Sequence, residues 1–182
     1  PDPNELPANV DPRQMSLLAA GWTVGSLNAL SQAGPASLTY YETTGWRGVM
    51  ETEEGPPLPA RFRSYPGMVF PVYWVFAFLA EAKGAQVLRL RSAQPLLLQG
   101  LALRREGRLW LAVANLQPRP QRVRLQGLPP GRGTIQRLNE RTMPQAAAAP
   151  EAFAARSEPL AVDGGAAVLD LLPYETVFVR MS

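Results

Sequence analysis

The chain has 182 residues, 46% of them hydrophobic, enough to bury one substantial core or two modest ones without covalent staples. It has no cysteine and no histidine, which excludes disulfides, Cys/His zinc sites, Ser-His-Asp triads and Cys-His dyads within it. Chemistry here must come from carboxylates, Tyr, Arg or Lys. Charge is unevenly placed: residues 1–84 carry 5 basic and 8 acidic side chains, residues 85–182 carry 13 and 7, which suggests two units divided near residue 84.

The basic residues are 17 Arg and one Lys, Lys83. Arg89, Arg91, Arg122 and Arg124 stand at every second position between Leu88, Leu90, Val123 and Leu125, the pattern of a half-buried strand's outward face rather than of a nucleic-acid patch. The absence of cysteine fits a reducing, cytoplasmic compartment. The longest apolar run, 68–82, is too short to span a membrane and contains Pro71.

In chain order, Pro1-Asp2-Pro3-Asn4 has no initiator Met and no charged-then-apolar leader, and reads as the tail of a longer polypeptide. Residues 1–10 predict an extended lead-in. Asp11-Pro12-Arg13-Gln14 then predicts a helix start, with Asp as N-cap, Pro in the first turn and Gln reaching back to the cap. That helix runs to about Ala33, and its apolar residues on several faces, with Gly21, Gly25 and Ala29 between them, predict cover from several sides. Gly34-Pro35 stops it.

Leu38-Thr39-Tyr40-Tyr41 predicts a short strand that gives way to Glu42-Thr43-Thr44-Gly45-Trp46-Arg47-Gly48. A helix followed by a buried strand with polar residues at its carboxyl end is the step of a parallel α/β fold, where sites gather at strand ends. Glu42, on a rigid element yet able to reach a ligand, is the first candidate for chemistry. Residues 51–64 read as a surface loop in which Glu51, Glu53 and Glu54 are solvated. They make weak evidence for a metal, and neither metal nor cofactor is expected.

Residues 66–84 predict a second helix, with Pro71 in its first turn and Lys83 and Gly84 at its end. Its Tyr73 and Trp74 are expected to pack a junction between the two units rather than stack on a ligand. From Ala85 the period changes to two. Strands are predicted over 87–91, 98–104, 108–116, 121–128, 133–138, 166–172 and 176–181, with a Pro/Ala-rich excursion over 144–155, giving an antiparallel sandwich.

Asp11-Pro-Arg-Gln-Met-Ser with Gly21-Trp-Thr, Ser37-Leu-Thr-Tyr-Tyr-Glu-Thr-Thr-Gly-Trp-Arg-Gly-Val-Met and Pro66-Gly-Met-Val-Phe-Pro-Val-Tyr together resemble the D-apionate lactonases. The resemblance implies the last part of a (β/α)8 barrel over 1–84 followed by an antiparallel β-sandwich over 85–182. It also implies a small sugar lactone, D-apionolactone, as substrate, or a glycoside if the chemistry is that of a retaining glycosidase. Residues 38–41 would then be a late barrel strand with Glu42 at its carboxyl end as base or nucleophile, opposite a carboxylate upstream of Pro1. Arg47 would stabilise an oxyanion or hold Glu42 ionised, or else simply brace the loop. Trp46 would supply a flat wall for a sugar ring or pack on a neighbouring loop, and Thr43 would bind hydroxyls or cap the loop. Of Tyr40 and Tyr41 only one can face the interior, and Tyr41 is taken as the substrate contact. The expected partners are the N-terminal remainder of the barrel or a second copy of the chain. A non-catalytic binding or assembly module, whose basic sandwich contacts polysaccharide or a partner subunit, is the reading from a different class.

Overall fold

The computed structural model describes residues 4–182, so residues 1–3 of the expected lead-in lie outside it. The rest of the lead-in is not extended. It turns at Pro7, whose carbonyl accepts from Val10 N, because Val10 is buried beside Phe62, Phe70 and Val72 and the chain must bend to place it there.

The single helix expected from Asp11 forms as two pieces. A 3-10 turn covers Pro12–Met15, capped by Asp11, and helix α1 covers Leu17–Ser31, capped by Ser16. Gln14 does not reach back to the cap; its Nε2 donates to Gly48 O at 2.8 Å, and the break between the pieces falls at Ser16, whose extended backbone ends the first and whose side chain caps the second. Strands β1 (Glu42–Thr44) and β2 (Gly48–Met50) follow, then helix α2 (Pro71–Glu81), in which Pro71 occupies the first turn as expected. Beyond it come β3 (Gln86–Leu88), β4 (Leu98–Arg105), β5 (Arg108–Asn115), β6 (Gln121–Gln126) and β7 (Gly133–Leu138). Short helices α3 (Met143–Ala148) and α4 (Pro150–Ala154), edge strand β8 (Glu158–Leu160), β9 (Ala166–Leu171) and β10 (Thr176–Met181) complete the chain. No helix among the described residues is long and apolar enough to cross a membrane.

The expected strand at 38–41 is absent, and strand structure begins only at Glu42. Tyr41 has φ of +54°, the left-handed region, which interrupts an extended run. No strand among the described residues lies alongside 38–41 to pair with it. Residues 89–91 are likewise not strand, β3 ending at Leu88, although Arg89 and Arg91 are exposed and Leu90 half-buried as the alternation requires.

The main sheet has the order β3-β4-β5-β10-β7-β8, entirely antiparallel, and β6 pairs β9 in a separate two-stranded layer. The central strands β5 and β10 are buried along nearly their whole length, because both faces of the sheet are covered. On one face Leu101, Leu103, Trp110, Ala112 and Phe178 meet α1 and α2. On the other, Leu111, Val113, Val177 and Val179 meet Leu125, Leu169 and Leu171 from β6 and β9. Gly21 lets α1 approach this closely, since a Cβ there would lie 2.9 Å from Leu116 Cδ2 and 3.2 Å from Ala114 Cβ. Trp74 packs edge-on against Phe153 at 4.5 Å and donates Nε1–H to Ala146 O, so the Pro/Ala-rich excursion is helical and part of the core. Arg180 of β10 makes a two-pronged pair with Glu81 at the end of α2, fixing that helix along the sheet.

Two sites test this architecture. Glu175 has a fully buried side chain and accepts from Arg137 Nη1 (3.1 Å), Asn139 Nδ2 (2.9 Å) and Leu172 N (2.6 Å). Glu175→Ala is expected to cost about 3–5 kcal/mol, since it leaves buried donors and a guanidinium without their acceptor. Urea unfolding reads this, and a loss below about 0.5 kcal/mol would show the network to be dispensable. At Gly48, a Cβ would fall 2.7 Å from the Thr44 carbonyl carbon and 2.8 Å from its Cα. Gly48→Ala is therefore expected to open the β1–β2 pairing, seen as faster hydrogen exchange at the Glu42 and Gly48 amides, with a stability loss of about 1–3 kcal/mol.

Candidate functional site

The site is built on the connection between β1 and β2. These strands run parallel, with Glu42 opposite Gly48 and Thr44 opposite Met50, although only Gly45, Trp46 and Arg47 lie between them. The chain makes this reversal in one tight loop: Gly48 N–H donates to Gly45 O at 2.7 Å and Glu42 N–H to Arg47 O at 3.0 Å. Gly45 supplies a positive φ of 83°, and Gly48 the missing side chain that lets the loop close on Thr44. The two glycines of Gly-Trp-Arg-Gly are thus demanded by the backbone path.

That path brings the Glu42 and Arg47 side chains together, with Arg47 Nη2 2.5 Å from Glu42 Oε1. Their side chains are 55% and 43% exposed, so the pair is screened by water and contributes at most about 1 kcal/mol to folding. Its consequence is positional: a charged carboxylate and a guanidinium share one spot at a cleft wall. Trp46 is half-buried, its ring held edge-on by Phe62 at 6.5 Å. Tyr41 shares its hydroxyl hydrogen bond with Thr23 Oγ1 of α1 at 2.9 Å, and Tyr40 shares one with Ser26 Oγ at 2.7 Å. Both tyrosines are thereby tied to the same helix.

Tyr41, Glu42, Trp46 and Arg47 line a single cleft of about 520 Å³. Thr43 does not line it; it is exposed on β1 between Glu42 and Thr44, and the period of two directs it away from Glu42. The lining continues onto the 3-10 turn and α1 and includes Asp11, Arg13, Gln14 and Trp22. None of these four was read from the sequence as a site residue. Asp11-Pro12-Arg13 carries an ordinary helix-start pattern, and only the fold brings those charges to the same cleft as Glu42. Trp22, 67% exposed, had a sequence signal in being a large aromatic on a helix with several apolar faces.

Asp11 and Arg13 form a second carboxylate–guanidinium pair, with Arg13 Nε 3.0 Å from both Asp11 oxygens and Nη2 2.6 Å from Oδ2. The hydrogen bonds from the Arg13 side chain hold the Asp11 carboxyl below its ordinary value, against the opposing effect of its partial burial. The cleft therefore carries two ion pairs and no net charge from these four residues, which suits a neutral polar ligand.

The acidic loop divides in two. Glu53 and Glu54 are exposed as expected, but Glu51 is 2% exposed and is not solvated. It follows β2 directly, its amide donating to Met68 O at 2.8 Å, so the return of the chain toward α2 covers it. The described residues contain no cluster of three or more acidic or other metal-ligating side chains.

Comparison with known proteins gives these features a context. Residues 1–84 match the family model described as D-apionate lactonase, TIM barrel domain, and residues 95–179 match D-apionate lactonase, C-terminal immunoglobulin-like domain. No curated protein matches the chain. Among solved structures, a GH30 endoxylanase from Clostridium papyrosolvens C71 is similar at a TM-score of 0.62 and 11% identity, covering 94% of this chain and 39% of its own. A GH39 β-xylosidase from Caulobacter crescentus (TM-score 0.57, 16% identity, 97% and 42%) and a GH51 arabinofuranosidase from Xanthomonas axonopodis pv. citri (0.56, 17%, 98% and 39%) share the same build. The chain thus spans less than half the length of these structures, and at such identities the likeness shows the fold alone. With family models matched on both sides of residue 85, as the last part of a TIM barrel and the immunoglobulin-like sandwich that follows it, the chain belongs to the D-apionate lactonase family.

Proposed function

We propose that this chain is the portion of a carbohydrate-active hydrolase that carries the lactone-opening carboxylate, and that its substrate is a small sugar-derived lactone, D-apionolactone. The observation that carries the reading is the Glu42–Arg47 pair at 2.5 Å, set in a cleft of about 520 Å³ beside the Trp46 indole. The cleft's balanced charge and small size suit a neutral ring bearing hydroxyls.

Lactone opening requires a nucleophile at the carbonyl carbon and stabilisation of the negative charge that gathers on its oxygen. Glu42 in this reading takes a proton from water as the water's oxygen bonds to the carbonyl carbon, or attacks that carbon itself. Arg47 faces the developing oxyanion. Collapse breaks the ring C–O bond and the departing alkoxide takes up a proton; the product is a hydroxy acid, formed at once when water attacks, or after a water molecule hydrolyses the mixed anhydride when Glu42 attacks. Trp46 and Tyr41 orient the ring from the wall of the cleft. The finished site draws on the barrel remainder or on a second copy of the chain, in a cytoplasmic setting consistent with the cysteine-free composition.

A retaining glycoside hydrolase is the second reading, favoured by one specific observation: the cleft also holds a second carboxylate, Asp11, and such enzymes use two. A non-catalytic module that binds polysaccharide through its basic sandwich is the third. Kinetics on the full-length protein separate them. Glu42→Gln is expected to lower lactone turnover by about 10²–10⁴-fold, with the fold intact by circular dichroism. Unchanged turnover would remove Glu42 from the mechanism, turnover of aryl glycosides in place of lactones would select the second reading, and wild-type protein inert to both would leave the binding module.

A further inference from the structure

Two buried carboxylates are left unused by this chemistry: Glu175 is paired with Arg137 in the sandwich, whereas the surroundings of Glu51 lead back to the cleft. Glu51 accepts from Ser64 Oγ at 2.5 Å and from Thr52 N at 2.9 Å, and no guanidinium or ammonium lies within ion-pair reach among the described residues. A carboxylate this deeply buried without a cation is held at a cost to stability, so its placement calls for a local reason.

The reason lies in the loop it closes. Residues 52–67 leave β2 and return to it: Glu51 N–H donates to Met68 O at 2.8 Å, Gly67 N–H to Thr52 O at 2.8 Å, and Phe70 N–H to Val49 O at 3.0 Å. These backbone bonds fasten only the neck. Within the loop, the Arg61 and Phe62 amides both donate to Leu58 O, which forms a small turn of its own. The Glu51–Ser64 bond links that turn to the neck from inside. Two residues before Ser64 stands Phe62, fully buried between Phe70 (5.9 Å) and Trp46 (6.5 Å). The contacts thus run from the Glu51 carboxylate through Ser64 and Phe62 to the indole of Trp46, which lines the cleft beside Glu42 and Arg47.

We infer that Glu51 is a positioning residue: by gripping Ser64 it seats Phe62 behind Trp46 and so sets the ring-binding wall of the cleft, without touching substrate itself. The inference rests on the reading of the cleft as the substrate site. Its physical logic is that an edge-on aromatic contact transmits position only while the ring behind it is fixed; of the two side-chain anchors that flank Phe62, Arg61 Nε to Asn4 O at 3.3 Å is exposed and Ser64 to Glu51 is buried, so the second is the one that water does not loosen.

The test is a double-mutant cycle in the full-length protein. Glu51→Ala and Ser64→Ala are each expected to raise KM for the lactone about tenfold or more while kcat changes little, because the lost wall contributes to ground state and transition state alike. Glu51→Gln, which keeps an oxygen acceptor for Ser64, is expected to recover most of that loss. In a Trp46→Ala background the Glu51 and Ser64 substitutions are expected to add nothing further. Additive effects in that background, or a loss in kcat alone, would overturn the inference.

Hydrogen exchange supplies an arm that needs no substrate and so separates this idea from the proposed activity. Ser64→Ala, the milder change should Glu51→Ala fail to fold, is expected to speed exchange at the Arg61 and Phe62 amides and across 45–48, while the amides of β5 and β10 keep their protection. Unchanged exchange at 45–48 would overturn the link to the cleft even if the lactone reading stands.

Discussion

The constraint on which the molecule depends is burial of both faces of one antiparallel sheet. Strands β5 and β10 have no solvated side, so nearly all of their residues must meet a partner layer, and the two layers differ in kind. One is a thin β-pair, β6–β9; the other is helical and belongs to the segment that carries the cleft. Phe178 meets Phe78 at 5.0 Å, and Arg180 lies over the same ring while pairing with Glu81, so α2 is held by apolar and charged contacts at once. Burying a phenylalanine of this kind contributes roughly 1.5–3 kcal/mol, well above what any exposed ion pair in the chain can supply. The sandwich is therefore more than an appendage, since it provides the base on which α1 and α2 are seated.

From that base the cleft is reached in two steps. Helix α1, drawn close to β5 by Gly21, presents Thr23 and Ser26 to the hydroxyls of Tyr41 and Tyr40, which fixes the chain just before Glu42. Gln14, ahead of the same helix, holds Gly48 O and so fixes the chain just after Arg47. The Glu42–Arg47 pair is suspended between these two anchors. Its own ion pair is half-exposed and weak, and its geometry comes from the rigid elements around it. Sites whose chemistry needs a carboxylate reachable by a ligand commonly divide the work in this way.

The acidic loop after β2 shows how charge alone misleads. Glu51, Glu53 and Glu54 are indistinguishable by composition, all acidic and all close to a Gly-Pro-Pro turn, and solvation is the simplest expectation for each. Two are solvated. The third is drawn inside because the chain returns at Met68 to bond with its amide, a long-range event that no window of a few residues contains. The same holds for the Pro/Ala-rich excursion, whose composition suggests a surface detour and whose Phe153 is fully buried against Trp74.

What the sequence determined by itself is whatever local chemistry governs: Asp11 capping a first helical turn, the second helix with Pro71 at its start, the β4–β5 hairpin over Glu106-Gly107, the strands at 133–138 and 176–181, and the glycines that let the Glu42–Arg47 loop close. Each depends on side chains within a few positions or on a period of two or 3.6, and such signals survive without partners. What only the tertiary structure decided is where those pieces face. The residues 38–41 have strand-forming side chains, but backbone groups need a neighbouring strand to pair with, and Tyr41 turns into the left-handed region instead. Asp11, Arg13 and Trp22 read as helix start and helix face, and become cleft lining because α1 is seated on the sheet by its buried residues. Glu51 is buried for the same reason, since burial is a property of the assembled core and not of a residue's own preference for water.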